Sequence, residues 1–181
     1  MKILGTVVTS NLSWDDICRE LERKVNSRMQ LIRGVKIFGA SREEMVHLWT
    51  VFCRSVIEQS CVVWGTSLTQ ENVNNLERPQ KTFAKLVLKE KYKDYESSLT
   101  LLNLDSLEKR RQDLCLKFAK NGIKNNKLND LFPLNKKEHT METRENLKYK
   151  VNFANTDRLK TSSIIAMQHM LNEEEKSNKL V

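Results

Sequence analysis

Apolar residues recur at steps of three and four along much of the chain, and the stripes they trace predict helices. Trp14, Ile17, Leu21, Val25, Met29 and Ile32 form the first stripe. Ser13 stands ahead of it as a cap, Asp16 three residues on completes a capping-box pattern, and Gly34 is placed to end the helix. The pattern restarts at Ser41, with Glu44 three residues on and Met45, Leu48, Phe52 and Val56 along one face. That helix is expected to run into Cys61-Val62-Val63-Trp64 and stop at Gly65. Thr69 caps a third helix with Val73, Leu76, Phe83 and Val87 on its apolar side. Pro79 lies inside it, where a missing N–H and a clash with the preceding turn cost ~3 kcal/mol and predict a kink or break. A short helix after Asp94 takes in Leu99 and Leu102. Ser106 caps another, with Leu107, Leu114 and Phe118 inward and an end near Asn121-Gly122.

The two ends differ. Residues 2–8 are rich in β-formers and Ser10-Asn11 can turn the chain, so a short strand or hairpin arm is predicted there. From Leu134 the chain turns polar; Tyr149, Val151 and Phe153 alternate as in a strand. Ser162 or Ser163 can cap a last helix bearing Ile164, Met167 and Leu171, and residues 173–181 read as disordered. The expected fold is mainly α: a β element at 1–12, a helical bundle at 13–133 and a polar, partly disordered extension at 134–181. Five glycines and two prolines agree with long helices rather than many short strands.

Composition narrows the function classes. No apolar run reaches the ~20 residues of a membrane-spanning helix, and the N-terminus lacks the pattern of a secretory signal. The expectation is an intracellular protein, cytoplasmic or nuclear, with no membrane and no small-molecule substrate. A net charge of +8 points to polyanions, nucleic acid first, and +6 of it lies in residues 1–133. Cys18, Cys53, Cys61 and Cys115 form no C-x-x-C pair and lie far from His47, His139 and His169, so zinc-ligand spacing is missing. Each falls in or beside an apolar stripe, where a thiol packs as a small hydrophobe.

Three features could carry chemistry. Trp14-Asp15-Asp16 offers adjacent carboxylates, but two-metal phosphoryl transfer needs a further acid, and the pair sits where negative charge favours a helix N-terminus. It reads as part of a cap, with a metal-dependent nuclease as the lesser alternative. Arg78, Lys81, Lys85 and Lys89 recur at steps of three and four, so they share one face of the third helix, opposite Leu76, Phe83 and Val87. Such a row suits a phosphate backbone; a solvated charged face is the plain alternative. Lys109-Arg110-Arg111, continued by Lys117, Lys120, Lys124 and Lys127, forms a second basic run. No local set suits a catalytic residue, a metal or a cofactor, and none is expected.

In order along the chain, these segments resemble the C-terminal region of non-LTR (jockey-type) retrotransposon reverse transcriptases. Leu4-Gly5 followed by Leu12-Ser13-Trp14 is similar to a "YLG … LSW" passage, and Val56-Ile57-Glu58 before Val63-Trp64-Gly65 to "L-E-Y … V-W-G". Leu76-Glu77-Arg78-Pro79-Gln80-Lys81 resembles an "LERVQRRALRLI" helix, and Leu104-Asp105-Ser106-Leu107-Glu108-Lys109-Arg110-Arg111 an "L-P-S-L-E-x-R-R" segment. Thr143-Arg144, Asn155-Thr156-Asp157-Arg158 and Leu171-Asn172 continue the likeness into the tail. The resemblance implies the end of a polymerase palm and a helical thumb, with Leu4 and Gly5 in a primer-grip-like element. The helices after Ser13 would then grip template–primer duplex through Arg78, Lys81, Lys85, Lys89, Arg110 and Arg111. The family's catalytic aspartates lie upstream of this region and are absent here, so no activity is implied for the chain itself. A palm supplied elsewhere is the implied protein partner. Pro79 stands where the family has an aliphatic residue, and Leu171-Asn172 where it has Trp-Asn. A helical protein-interaction module from a decayed element is the alternative.

Overall fold

The computed structural model describes residues 2–3, 6–10, 13–135 and 147–179. It is mainly α, as the stripes require. Strands β1 (Lys2–Ile3) and β2 (Thr6–Val7) pair antiparallel, with Lys2 opposite Val7 and Ile3 opposite Thr6. Helix α1 spans Asp15–Ile37 and buries the first stripe: Ile17, Cys18, Leu21, Val25, Met29 and Ile32. Ser13 stands one residue ahead of the cap position. Trp14 occupies the cap position without a side-chain bond, while the Ser13 hydroxyl donates to Asp15 Oδ2 at 2.5 Å. The same hydroxyl accepts from Asp15 N, the first amide of the helix, at 3.3 Å. Gly34 does not end α1; the helix runs three residues further, and Gly39, at φ +87°, takes the left-handed turn.

The capping box at Ser41 is present in both directions: Glu44 N donates to Ser41 Oγ at 3.2 Å and Ser41 N to Glu44 Oε2 at 2.8 Å. The helix that follows is not continuous to Gly65. It passes from α2 (Arg42–Leu48) through a π-helical stretch, Trp49–Arg54, into α3 (Ser55–Ile57). It then turns at Ser60 (φ +55°) before α4 (Cys61–Trp64). Thr69 caps α5 (Gln70–Leu88) through Asn72 N, and α5 is not interrupted at Pro79. Pro79 is buried, and Leu76, Gln80, Phe83 and Ala84 on either side of it are buried too, so packing holds both halves in one helix. Asp94 caps α6 (Tyr95–Leu102), and Ser106 Oγ accepts from Lys109 N at 3.2 Å at the start of α7 (Leu107–Ile123).

The chain divides into two compact units, residues 1–61 with 68–111 and residues 62–67 with 112–181; the division falls inside α7. In the first unit α1 packs on α5, around buried Trp49, Ile57, Leu76, Phe83 and Leu107. The second unit has its own core of Cys115, Ala119, Phe132, Tyr149, Met167 and Leu171. Gly122 is required there, because a Cβ at that position would stand 2.8 Å from the Phe132 ring. The boundary expected at 133 is therefore not a boundary: Tyr149, Met167 and Leu171 complete a core that α7 begins.

Two further expectations about the tail change. Residues 149–153 form no strand beyond a single bridge between Leu134 and Tyr149, and Phe153 is exposed. Lys150 N donates to the Pro133 carbonyl at 2.9 Å, while Tyr149 and Asn152 bond side chains. Tyr149 N donates to Asn172 Oδ1 (2.9 Å), Asn172 Nδ2 to Tyr149 O (3.0 Å) and Asn152 N to Gln168 Oε1 (3.0 Å). After α8 (Asp157–Lys160), α9 covers Ser163–Lys179, so most of the tail read as disordered is helical. Glu174 and Glu175 tie it to Lys120 and Lys148. Among the described residues no helix is long and apolar enough to cross a membrane.

Candidate nucleic-acid interface

Helix α5 is held by a buried polar network that its sequence pattern does not announce. Gln80 accepts from Trp49 Nε1 (3.2 Å) and donates to Tyr95 Oη (3.0 Å) and the Asp105 carbonyl (2.8 Å). One turn back, Glu77 accepts from Tyr95 Oη (2.5 Å) and from Glu108 N at the start of α7 (2.8 Å). Burial, then the Glu77 bond and charge, push the Tyr95 hydroxyl above the ordinary phenol range. These contacts set the rotation of α5 and hence the direction of its other face.

Three of the four expected cations share that outer face: Arg78 and Lys85 are exposed and Lys81 is half-buried. Their positions are shaped by aromatic rings. Lys81 Nζ lies 5.1 Å from the centre of the Tyr95 ring and Lys85 Nζ 5.4 Å from that of Tyr92. Lys89 departs from the expected row. The helix ends at Leu88, and Lys89 takes φ +51° beyond it, with its N–H bonded to the Lys85 carbonyl. A cation that spacing did not find joins this end: Lys36, in the last turn of α1, donates from Nζ to the Leu86 carbonyl. Partial desolvation and the charge of Lys89 hold Lys36 below the usual lysine range.

In the second basic run Arg110 and Arg111 are engaged within the fold, while Lys117, Lys124 and Lys127 are exposed. Arg110 makes a two-pronged bond to Glu58, Nε to Oε1 at 2.7 Å and Nη2 to Oε2 at 3.1 Å, and Arg54 shares the same carboxylate at 3.6 Å. Arg111 is buried, 2% exposed, and cannot reach a phosphate in this fold. The reason is helical phase: Leu107, Arg111, Cys115 and Ala119 stand four apart on α7, and all four are buried. Burial lowers the Arg111 pKa, against the charges of Glu77 and Glu108. The two primer-grip-like residues, Leu4 and Gly5, lie outside the described residues.

Asp15 and Asp16 are turned to different partners. Asp15 Oδ1 accepts from Asn72 Nδ2 (2.6 Å), and the Ser13 and Asn72 bonds hold its carboxyl below the usual range. Asp16 pairs with Arg19 at 2.5 Å. Among the described residues no group of three or more acidic, histidine or cysteine side chains could hold a metal ion.

All four cysteines are buried. Burial pushes the Cys18 thiol up to about 12, against the charge of Arg111, and that of Cys53 up to about 11, against Arg28. A thiol whose folded value lies above its unfolded one stabilises fully below the unfolded value, 9.0, and loses that contribution as pH rises through the folded value. Stability is therefore expected to fall between about pH 9 and pH 12, as read from urea midpoints. The fall should shrink in Cys18→Ala with Cys53→Ala, and an unchanged pH profile would contradict the assignment.

Compared with protein-family models, with curated proteins and with solved structures, the chain matches none.

Proposed function

We propose that this chain is a non-catalytic, thumb-like part of an RNA-directed DNA polymerase that holds template–primer duplex through backbone contacts. The observation that carries the reading is α5 itself. It is one uninterrupted helix, anchored on its inner side through Glu77 and Gln80, that presents Arg78, Lys81 and Lys85 outward, with Lys89 at its end. Fixed cations at one-turn intervals lose little side-chain freedom when they meet phosphates, and the flanking tyrosines hold two of them in place. The order of segments similar to jockey-type reverse transcriptases supports the same reading, and a palm supplied elsewhere is the implied partner.

Four phosphate contacts give a log–log salt slope of about −3 to −4 on duplex by counterion release. Fluorescence anisotropy across a salt series with RNA–DNA hybrid and DNA duplexes measures it. Lys81→Ala with Lys85→Ala is expected to reduce the slope by about one to two units, with little dependence on sequence. A wild-type chain that leaves duplex unbound at about 50 mM salt would remove the proposal and favour a helical protein-interaction module.

A further inference from the structure

The first unit carries a second apolar surface that its own core does not use. α1 packs along α2 and the π-helical stretch as a helical hairpin, with Arg28 Nη1 bonded to the Phe52 carbonyl. The inward stripe of α1 is buried, yet a second stripe at steps of four and three is open: Leu31 is 66% exposed, Val35 37% and Phe38 91%. On the facing helix Phe52 is 49% exposed and Leu48 half-buried. Val35, Phe38 and Leu48 line an open groove of about 740 Å³, with Glu43, Glu44 and His47 on its rim.

We propose that this face is a self-association surface, on which the hairpin of a second copy packs antiparallel across a two-fold axis to form a four-helix arrangement. Charge selects that occupant. Glu43 and Glu44 line the groove at the turn end, and beyond the groove the same stripe of α1 carries Arg28, three residues before Leu31 and ten before Phe38, or ~15 Å along a helix. In a two-fold interface residue i meets j while j meets i. An axis near the level of Leu31 and Val35 therefore sets Arg28 of each copy against the acidic end of the other. Two chains of net charge +8 repel over most orientations, and this one pairs opposite charges at both ends.

Area gives a consistent scale. Two phenylalanines, a leucine and a valine with these exposures offer on the order of 400 Å² of apolar surface per copy. That is about half of the ~800 Å² per partner in a standard interface, the polar rim supplying more, so association in the micromolar range is expected.

Sedimentation equilibrium of the whole chain, without nucleic acid, tests the proposal. A monomer–dimer equilibrium is expected, and Phe38→Asp should weaken it at least about tenfold while the circular dichroism stays unchanged. Arg28→Glu and Glu43→Arg should each weaken self-association, and an equimolar mixture of the two should restore a one-to-one dimer, because both symmetry-related pairs are then complementary again. The Lys81→Ala, Lys85→Ala variant should associate like the wild type, which separates this surface from the duplex-binding one. A chain that stays monomeric throughout, a dimer indifferent to Phe38→Asp, or a mixture that restores nothing would each overturn the proposal.

Discussion

Replacing Glu77 with alanine is expected to lower the unfolding free energy by about 3–5 kcal/mol, one of the two largest single effects in the first unit. Glu77 is 6% exposed and serves three groups at once. It accepts the Tyr95 hydroxyl at 2.5 Å and the Glu108 N–H at 2.8 Å, and it is the foremost acidic charge acting on Arg111. Neither Nη1 nor Nη2 of Arg111 has a hydrogen-bond partner among the described residues, so the guanidinium depends on nearby charge for compensation. Alanine would strand two donors and leave a buried cation without its main counter-charge, each a costly loss. Urea denaturation measures the effect, and a second substitution separates its parts. Arg111→Met in the Glu77→Ala background should recover a share of the loss, since the cation needing compensation is gone. A double variant no more stable than Glu77→Ala alone would show that the two charges are not coupled.

Trp49→Ala is expected to cost about 3–5 kcal/mol. Trp49 is fully buried at the start of the π-helical stretch, stacked on Phe83 with ring centres 4.9 Å apart and planes 16° from parallel. Its Nε1 donates to Gln80, so the substitution empties a large volume and also takes away a partner of the amide that fixes α5. Trp49→Phe divides these contributions. It keeps a stacked ring and loses the hydrogen bond, for an expected cost of about 1–3 kcal/mol. Equal losses for the two variants, read from denaturation midpoints, would mean that the stack contributes little and the amide bond dominates. If the Gln80 anchor positions the cation row, Trp49→Ala should also weaken duplex binding under conditions where the variant remains folded.

The candidate interface was partly legible before the fold was known. The face of α5 that carries Arg78, Lys81 and Lys85 follows from spacing within one helix, because the apolar side of that helix determines its opposite side. Lys36, Tyr92 and Tyr95 lie on other segments, and nothing in their local pattern says that they gather around it. Arg110 and Arg111 show the limit most sharply. Adjacent in sequence and alike in chemistry, they differ because helix phase turns one to Glu58 and the other inward between Leu107 and Cys115. The spacing of Leu107, Cys115 and Ala119 by eight and four residues was a usable signal, but a run of three basic residues masks it.

By itself the sequence determined the mainly helical class, the apolar stripe of α1, the caps at Ser41, Thr69 and Ser106 and a helix beginning after Asp94, since each depends on bonds and contacts spanning three or four residues. Only the tertiary structure decided whether α5 survives Pro79, where α1 ends, and what becomes of residues 149–153. Those outcomes depend on groups far along the chain: packing on both sides of Pro79, and the Asn172 and Gln168 amides that take backbone groups a strand would have paired. It also set the unit boundary inside α7 rather than at 133, because Phe132 and Tyr149 share a core with Cys115 and Ala119, and a core is a property of distant segments rather than of local pattern.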